Sequence, residues 1–197
     1  MRIASLISAG IKKTALAALA ALVTACASLP PPVAVEAPIT ALDAPFSIGG
    51  RISARRGDAG VAGAFSWSHG ARYDAIEIST PLGQTLAKLE GGPHDVTVRL
   101  SDGRVERAET WGALTEKAFG VTIPVDGLAS WIRGLPRPNA RYGVERDTAS
   151  RVALLRQDGW EVVYAYADDA ARKPFRVTLR YPGADPVEVR VVVDRRE

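Results

Sequence analysis

Cysteine occurs once and histidine twice in this chain, and those scarcities exclude whole classes of chemistry. A lone Cys26 leaves no partner for an internal disulfide and no thiolate cluster for a metal. His69 and His94 stand beside Gly70 and Pro93, positions read as turns, so both are expected to face solvent. No HExxH, CxxC, GxSxG elbow, Walker loop or GxGxxG is present. The Gly-Gly pairs at 49–50 and 91–92 read as a strand irregularity and a turn. Carboxylates are plentiful, but those that can be placed fall on polar strand faces, in turns or at helix starts. A glycosidase-like acid pair stays open on these residues. The main expectation is a protein that is not an enzyme, with no metal and no cofactor.

A basic excess is also missing beyond the first 25 residues. Arg2, Lys12 and Lys13 are three of the 25 Lys and Arg, and residues 1–25 hold no acid. Beyond them 22 basic residues face 22 acidic ones, a formal net charge of zero. That excludes the basic footprint of a nucleic-acid binder.

No apolar run is long enough to span a bilayer. Thr14–Val23 (TALAALAALV) has the length of a signal-peptide core and follows a basic start. Val23-Thr24-Ala25-Cys26 then resembles a bacterial lipobox, so residues 1–25 are expected to be cleaved and Cys26 to be acylated, palmitate included. Lipidation accounts for both the position and the solitude of that cysteine. Ala27 stands where inner-membrane lipoproteins of Gram-negative bacteria commonly carry aspartate, and by that resemblance the destination is the outer membrane. Residues 26–45 then form a lipidated start and a tether. Its part Leu29–Pro45 is rich in proline and alanine, with a reach of up to about 50 Å if extended.

From Phe46 the hydrophobic period becomes two. Phe46, Ile48, Gly50, Ile52 and Ala54 alternate with polar residues, as do Val61, Gly63, Phe65 and Trp67 with smaller or polar ones. The same holds for Val96–Leu100, Phe175–Tyr181 and Val187–Val191. Turn signals such as Arg56-Gly57-Asp58, Ser101-Asp102-Gly103 and Gln157-Asp158-Gly159 separate the strands. The pattern predicts a mainly β domain over 46–197: about ten antiparallel strands closed or half-closed into a barrel. Two helices interrupt it. Thr110 is expected to cap one, with Trp111, Leu114, Ala118 and Phe119 on one side and Gly120 at its end. Asp126 is expected to cap a second, with Leu128, Trp131 and Ile132 on one face, ending at Gly134. Both are expected across the mouth or inside of the barrel, aromatic side inward.

One turn stands apart. In Thr80-Pro81-Leu82-Gly83 proline suits the second position and glycine the fourth, which leaves Leu82 at the tip. An exposed leucine there forgoes roughly 1.5–3 kcal/mol of burial. Either a neighbouring loop covers it or its exposure has a use.

Several segments occur in an order that resembles the LolB family, outer-membrane lipoprotein receptors of the lipoprotein localisation pathway. They are Gly50-Arg51, Phe65-x-Trp67, Pro81-Leu82-Gly83-x-Thr85, Ile123-Pro124-Val125, Leu128-x-x-Trp131-Ile132-x-Gly134-Leu135-Pro136 and Gln157-x-Gly159-Trp160-x-Val162-x-Tyr164. The last strand departs from the family's habit, with Val191–Asp194 where an aromatic is usual. The resemblance implies an incomplete antiparallel β-barrel with a helical lid over a hydrophobic cavity. It implies a chaperone that accepts acylated lipoproteins from the periplasmic carrier LolA and inserts them into outer-membrane lipid, acting as a monomer. By motif, Leu82, flanked by Pro81 and Gly83, corresponds to the family's membrane-insertion tip. Strand parity and helix spacing nominate Phe65, Trp67, Trp111, Leu114, Trp131 and Ile132 as cavity lining or lid. Two alternatives of other classes are a lipid- or glycan-processing lipoprotein enzyme and a structural lipoprotein of an assembly machine.

Overall fold

The computed structural model describes residues 34–36 and 44–197. The expected signal peptide, Cys26 and most of the tether lie outside the described residues. Among those described, the elements run β1 (Ala34–Glu36), β2 (Phe46–Arg56), β3 (Ala59–Gly70), β4 (Tyr73–Ser79), β5 (Thr85–Gly91), β6 (Val96–Leu100) and β7 (Val105–Ala108). After α1 (Trp111–Phe119) and α2 (Val125–Trp131) come β8 (Tyr142–Arg146), β9 (Val152–Gln157), β10 (Trp160–Ala165), β11 (Arg176–Tyr181) and β12 (Val187–Arg196).

All twelve strands join one antiparallel sheet in the order β1-β8-β9-β10-β11-β12-β2-β3-β4-β5-β6-β7. The sheet is open: β1 and β7 are its two edges and do not pair with each other. The half-open architecture agrees with the expectation, with twelve strands in place of about ten. Part of the stretch read as a tether is itself a strand, since Ala34–Glu36 pairs with Val144–Tyr142 of β8. The last strand is central. β12 joins β11 to β2 and so unites the meanders β2–β7 and β8–β12, with an irregularity between Val193 and Arg195.

One face of the sheet is apolar, as period-two patterning requires. Phe65, Trp67, Val98, Leu155 and Val189 are buried on it. The other face carries polar residues in register. Arg156, Glu161, Arg180, Glu188 and Arg55 lie opposite one another on successive strands from β9 to β2. Glu161 bonds Arg156 at 3.1 Å, and Glu188 bonds Arg180 at 3.4 Å and Arg55 at 3.3 Å. Each exposed pair is worth about 1 kcal/mol at most, but the row favours one register over a slipped one.

The chain leaves the sheet at edge strand β7 and returns at β8, next to the other edge. The linking segment must therefore cross the apolar face, and it does so as α1 and α2. Trp111, Leu114, Leu128 and Trp131 join the sheet residues in one buried core. α1 has its ends written in its own residues. The Thr110 hydroxyl accepts from the Ala113 amide at 3.3 Å, and Gly120 closes the helix at φ 69°, a left-handed conformation that favours glycine. α2 begins differently from expectation. Pro124 stands at its start without a side-chain cap, and Asp126 lies inside the first turn. Proline is suited to a helix start because its missing N–H would have no partner there. Within α2, Gly127 makes room for a ring: a Cβ at this position would sit 2.5 Å from the Trp131 indole.

Candidate functional site

The turn after β4 is built as its residue types require. The Gly83 amide donates to the Thr80 carbonyl at 2.9 Å, and the Gln84 amide donates to the Thr80 hydroxyl at 3.1 Å. Leu82 projects from this bonded frame and is 91% exposed. No described residue covers it.

Behind the turn, between helices and sheet, lies an apolar slot. The sheet contributes Phe65, Trp67 and Ile78, and the helical segment contributes Phe119, Val125 and Leu128. Its volume is about 30 Å³. That is about the share of one water molecule in the liquid, far less than a long acyl chain occupies.

A second pocket, of about 220 Å³, lies on the other side of α2 and sets charged side chains among apolar ones such as Trp111, Ala129 and Pro138. His69, Arg72, Asp74, Asp126, Arg133 and Arg137 border it. Asp74 is the pivot of its wall. One carboxylate oxygen accepts from the Trp67 indole N–H at 2.6 Å and lies 2.7 Å from His69 Nδ1. His69 is only 8% exposed, which corrects the expectation that it faces solvent from a turn. β3 continues through Gly70, which pairs with Tyr73, so the turn is Ala71-Arg72 and His69 shares the inward parity of Phe65 and Trp67. Phe46 stacks on the imidazole with centroids 4.7 Å apart and meets Trp67 edge-on. His94 is exposed as expected. Desolvation, and then the nearby Asp74, push the Asp126 carboxyl above its ordinary pKa. At Arg137 the hydrogen bond to Asp158, 2.8 Å long, raises the guanidinium.

The end of α2 is clamped from the far meander. Gln157 is buried with its amide fully used. Its Oε1 accepts from Trp131 Nε1 at 2.8 Å and from the Arg137 amide at 2.7 Å, while Nε2 donates to the Arg137 carbonyl at 2.9 Å. Trp160 lies against Trp131 with centroids 6.5 Å apart. Arg196, half-buried near the end of β12, donates to the Pro174 carbonyl and, at 3.4 Å, to that of Ile132, the residue closing α2. Burial lowers this guanidinium's pKa.

The six residues nominated as cavity lining or lid are all buried, but they do not form one lining. Phe65 and Trp67 border the slot, Trp111 borders the polar pocket, and Leu114, Trp131 and Ile132 pack in the core. Sequence reading missed the Asp74 pivot and the clamps from Gln157 and Arg196. For His69, strand parity carried the signal; for the clamps no local signal exists. Among the described residues no cluster of His, Cys, Asp and Glu is arranged to hold a metal, and no helix is long and apolar enough to cross a membrane.

A family model described as outer membrane lipoprotein LolB matches residues 44–195. The outer-membrane lipoprotein LolB of Azoarcus sp. (strain BH72) is 38% identical over 179 residues, 90% of each chain. That of Cupriavidus necator is 36% identical, with 89% of this chain and 91% of that one covered. The Chromobacterium violaceum protein of the same name is also 36% identical, covering 93% of this chain and 97% of its own. Among solved structures, the LolA superfamily protein NE2245 from Nitrosomonas europaea aligns at 11% identity with a TM-score of 0.44, over 79% of this chain and 86% of that one.

Proposed function

The chain belongs to the LolB family of outer-membrane lipoproteins, and from that premise we propose that it receives acylated lipoproteins from the periplasmic carrier LolA and delivers them to the outer membrane. Residues 1–25 are its export signal, Cys26 its lipid anchor, 26–45 its tether and 46–197 its working domain, which acts as a monomer facing the periplasm. The observation that supports this most is the apolar slot roofed by two short helices and bordered by Phe65, Trp67 and Leu128.

The energetics of the task suit such a device. Three acyl chains hold about 45 methylenes, so exposing them to water costs on the order of 36 kcal/mol at about 0.8 kcal/mol each. The cargo must pass from one apolar cavity to another without crossing water. Direction then needs only graded affinity, about 1.4 kcal/mol for each tenfold step. No covalent chemistry or energy source is required of the receptor.

The slot is too narrow for an acyl chain while closed, so loading requires α2 to lift. Its polar clamps are Gln157 on Trp131 and Arg196 on Ile132, beside the packing of Trp131 on Trp160. Leu82 works at another place and another step. With no partner in the fold, it enters the membrane interface and lets the cargo pass from slot to lipid, with Pro81 and Gly83 holding the turn rigid.

The test mixes the full chain bearing Cys26→Ser, which removes the anchor, with LolA loaded with an acylated lipoprotein. Cargo appearing on the chain supports the reading. Cargo that stays on LolA, together with no binding of a fluorescent fatty acid, overturns it.

A further inference from the structure

α2 has two faces. Val125 and Leu128, one turn apart, border the apolar slot. Asp126, Ala129 and Ser130, followed by Arg133 just beyond the helix, border the polar pocket. The two spaces meet again at the sheet, where the Trp67 ring borders the slot and its N–H is held by Asp74, a residue of the pocket wall. An apolar space and one lined with charged side chains thus meet at α2 and again at Trp67. That is the outline of an amphiphile.

We propose that the polar pocket is the seat of the cargo's polar head, the glyceryl ester and first amides of the acylated cysteine, while its chains occupy the slot. The proposal rests on the lipoprotein-receptor reading above and assigns a role to side chains which that reading leaves unused.

The size and chemistry of the pocket favour this occupant. A volume of about 220 Å³ corresponds to roughly seven water molecules, the bulk of a small polar head. Ester and amide carbonyls only accept hydrogen bonds, and amide N–H groups only donate. The pocket offers both partners, with guanidiniums at Arg72, Arg133 and Arg137 and carboxylates at Asp74 and Asp126. Several of these have prior engagements that hold them in place. Arg133 donates to the Ala129 carbonyl at 3.1 Å and its guanidinium lies 5.7 Å from the centre of the Phe46 ring, and Arg137 is paired with Asp158. A site with acceptors as well as donors suits a neutral head better than a phosphate, which has no proton to offer the two carboxylates.

The pocket already has room for a head while the slot is too small for a chain, so the head docks first. Its position under the polar face of α2 then places the chains beside the face that must lift.

The test uses the full chain with Cys26→Ser and three probes: an amide-capped dipalmitoyl-S-glyceryl-cysteine peptide, palmitate, and dipalmitoyl phosphatidylglycerol. Affinities are read by tryptophan quenching and checked by calorimetry. Asp126→Ala and Arg72→Ala remove exposed groups at the pocket rim and leave the core untouched. Each is expected to weaken the lipopeptide about tenfold, the loss of one charge-assisted hydrogen bond; Asp126→Ala is expected not to weaken palmitate, whose carboxylate has no proton to offer it. Equal losses for lipopeptide and palmitate in Asp126→Ala, or no loss for the lipopeptide in either variant, overturn the head site while the receptor reading stands. A loss confined to phosphatidylglycerol also overturns it and makes the pocket a phospholipid site. If neither lipopeptide nor palmitate binds the parent chain, the receptor reading fails and the head site with it.

Discussion

The two helices of the linking segment are neighbours with opposite kinds of support. α1 is capped by its own flanking residues, and its backbone lies close against β6, β7 and β3. α2 has no side-chain cap at its start, its backbone stands off from the sheet, and its end is held by Gln157 of β9 and Arg196 of β12. Both bury their apolar side chains, so burial alone does not separate them. The difference lies in where the polar contacts come from. A helix whose caps are local stays formed wherever it goes. One whose end is clamped by distant strands depends on those strands staying in place, in addition to the burial of Leu128, Trp131 and Ile132. On the proposed reading, α1 is then the fixed part of the roof and α2 the part that moves.

Substitutions can sharpen or break this contrast. The largest expected effect is Leu114→Ala in α1, a fully buried side chain whose loss leaves a cavity and costs about 2–5 kcal/mol in denaturant unfolding. The loss is expected to be global, with the unfolding transition still single. Next, Gln157→Ala strands the Trp131 N–H and the Arg137 backbone, at about 1–3 kcal/mol for each group left without a partner. Amide exchange is expected to speed up in α2 and to change little in α1. Equal acceleration in both helices breaks the distinction.

A smaller effect is expected from Thr110→Ala, the cap of α1, at about 1 kcal/mol. Fatty-acid uptake is expected to stay near the parent level, because the fixed helix is not the gate. The smallest effect on stability is expected for Leu82→Glu, within about 0.5 kcal/mol, since an exposed tip has no packing to lose. In a vesicle assay this variant is expected to take cargo and fail to release it. A clear drop in thermal stability would mean that Leu82 has a packing role after all.

How far each part was legible follows the reach of its physics. Thr110 and Gly120 could be read as the ends of α1 because a cap acts within one turn of its own residue. The Thr80–Gly83 turn could be read for the same reason. Strand parity placed Phe65 and Trp67 on the inward face, and carried two residues further it places His69 there as well. The reading failed at His69 because glycine beside it imitates a turn, while the real turn, Ala71-Arg72, has no turn-forming residue type. α2 was placed correctly but started wrongly. Asp126 is a good capping type, yet Pro124 already occupied the start and left Asp126 to border the pocket.

By itself the sequence determined the alternation that gives several strands an apolar face, the two helices that interrupt it, the tight turn with Leu82 at its tip and the family. Each of these rests on neighbours within a few positions, or on motifs in a fixed order. Tertiary structure alone decided that β12 would join β2 at the centre of the sheet and that the edges would stay unpaired. It also decided that Gln157 and Arg196 would hold α2 down, and that a pocket lined with charged side chains would meet an apolar slot at α2. Those contacts link segments far apart in the chain. No local pattern encodes them, because they exist only once the sheet has brought its two meanders together.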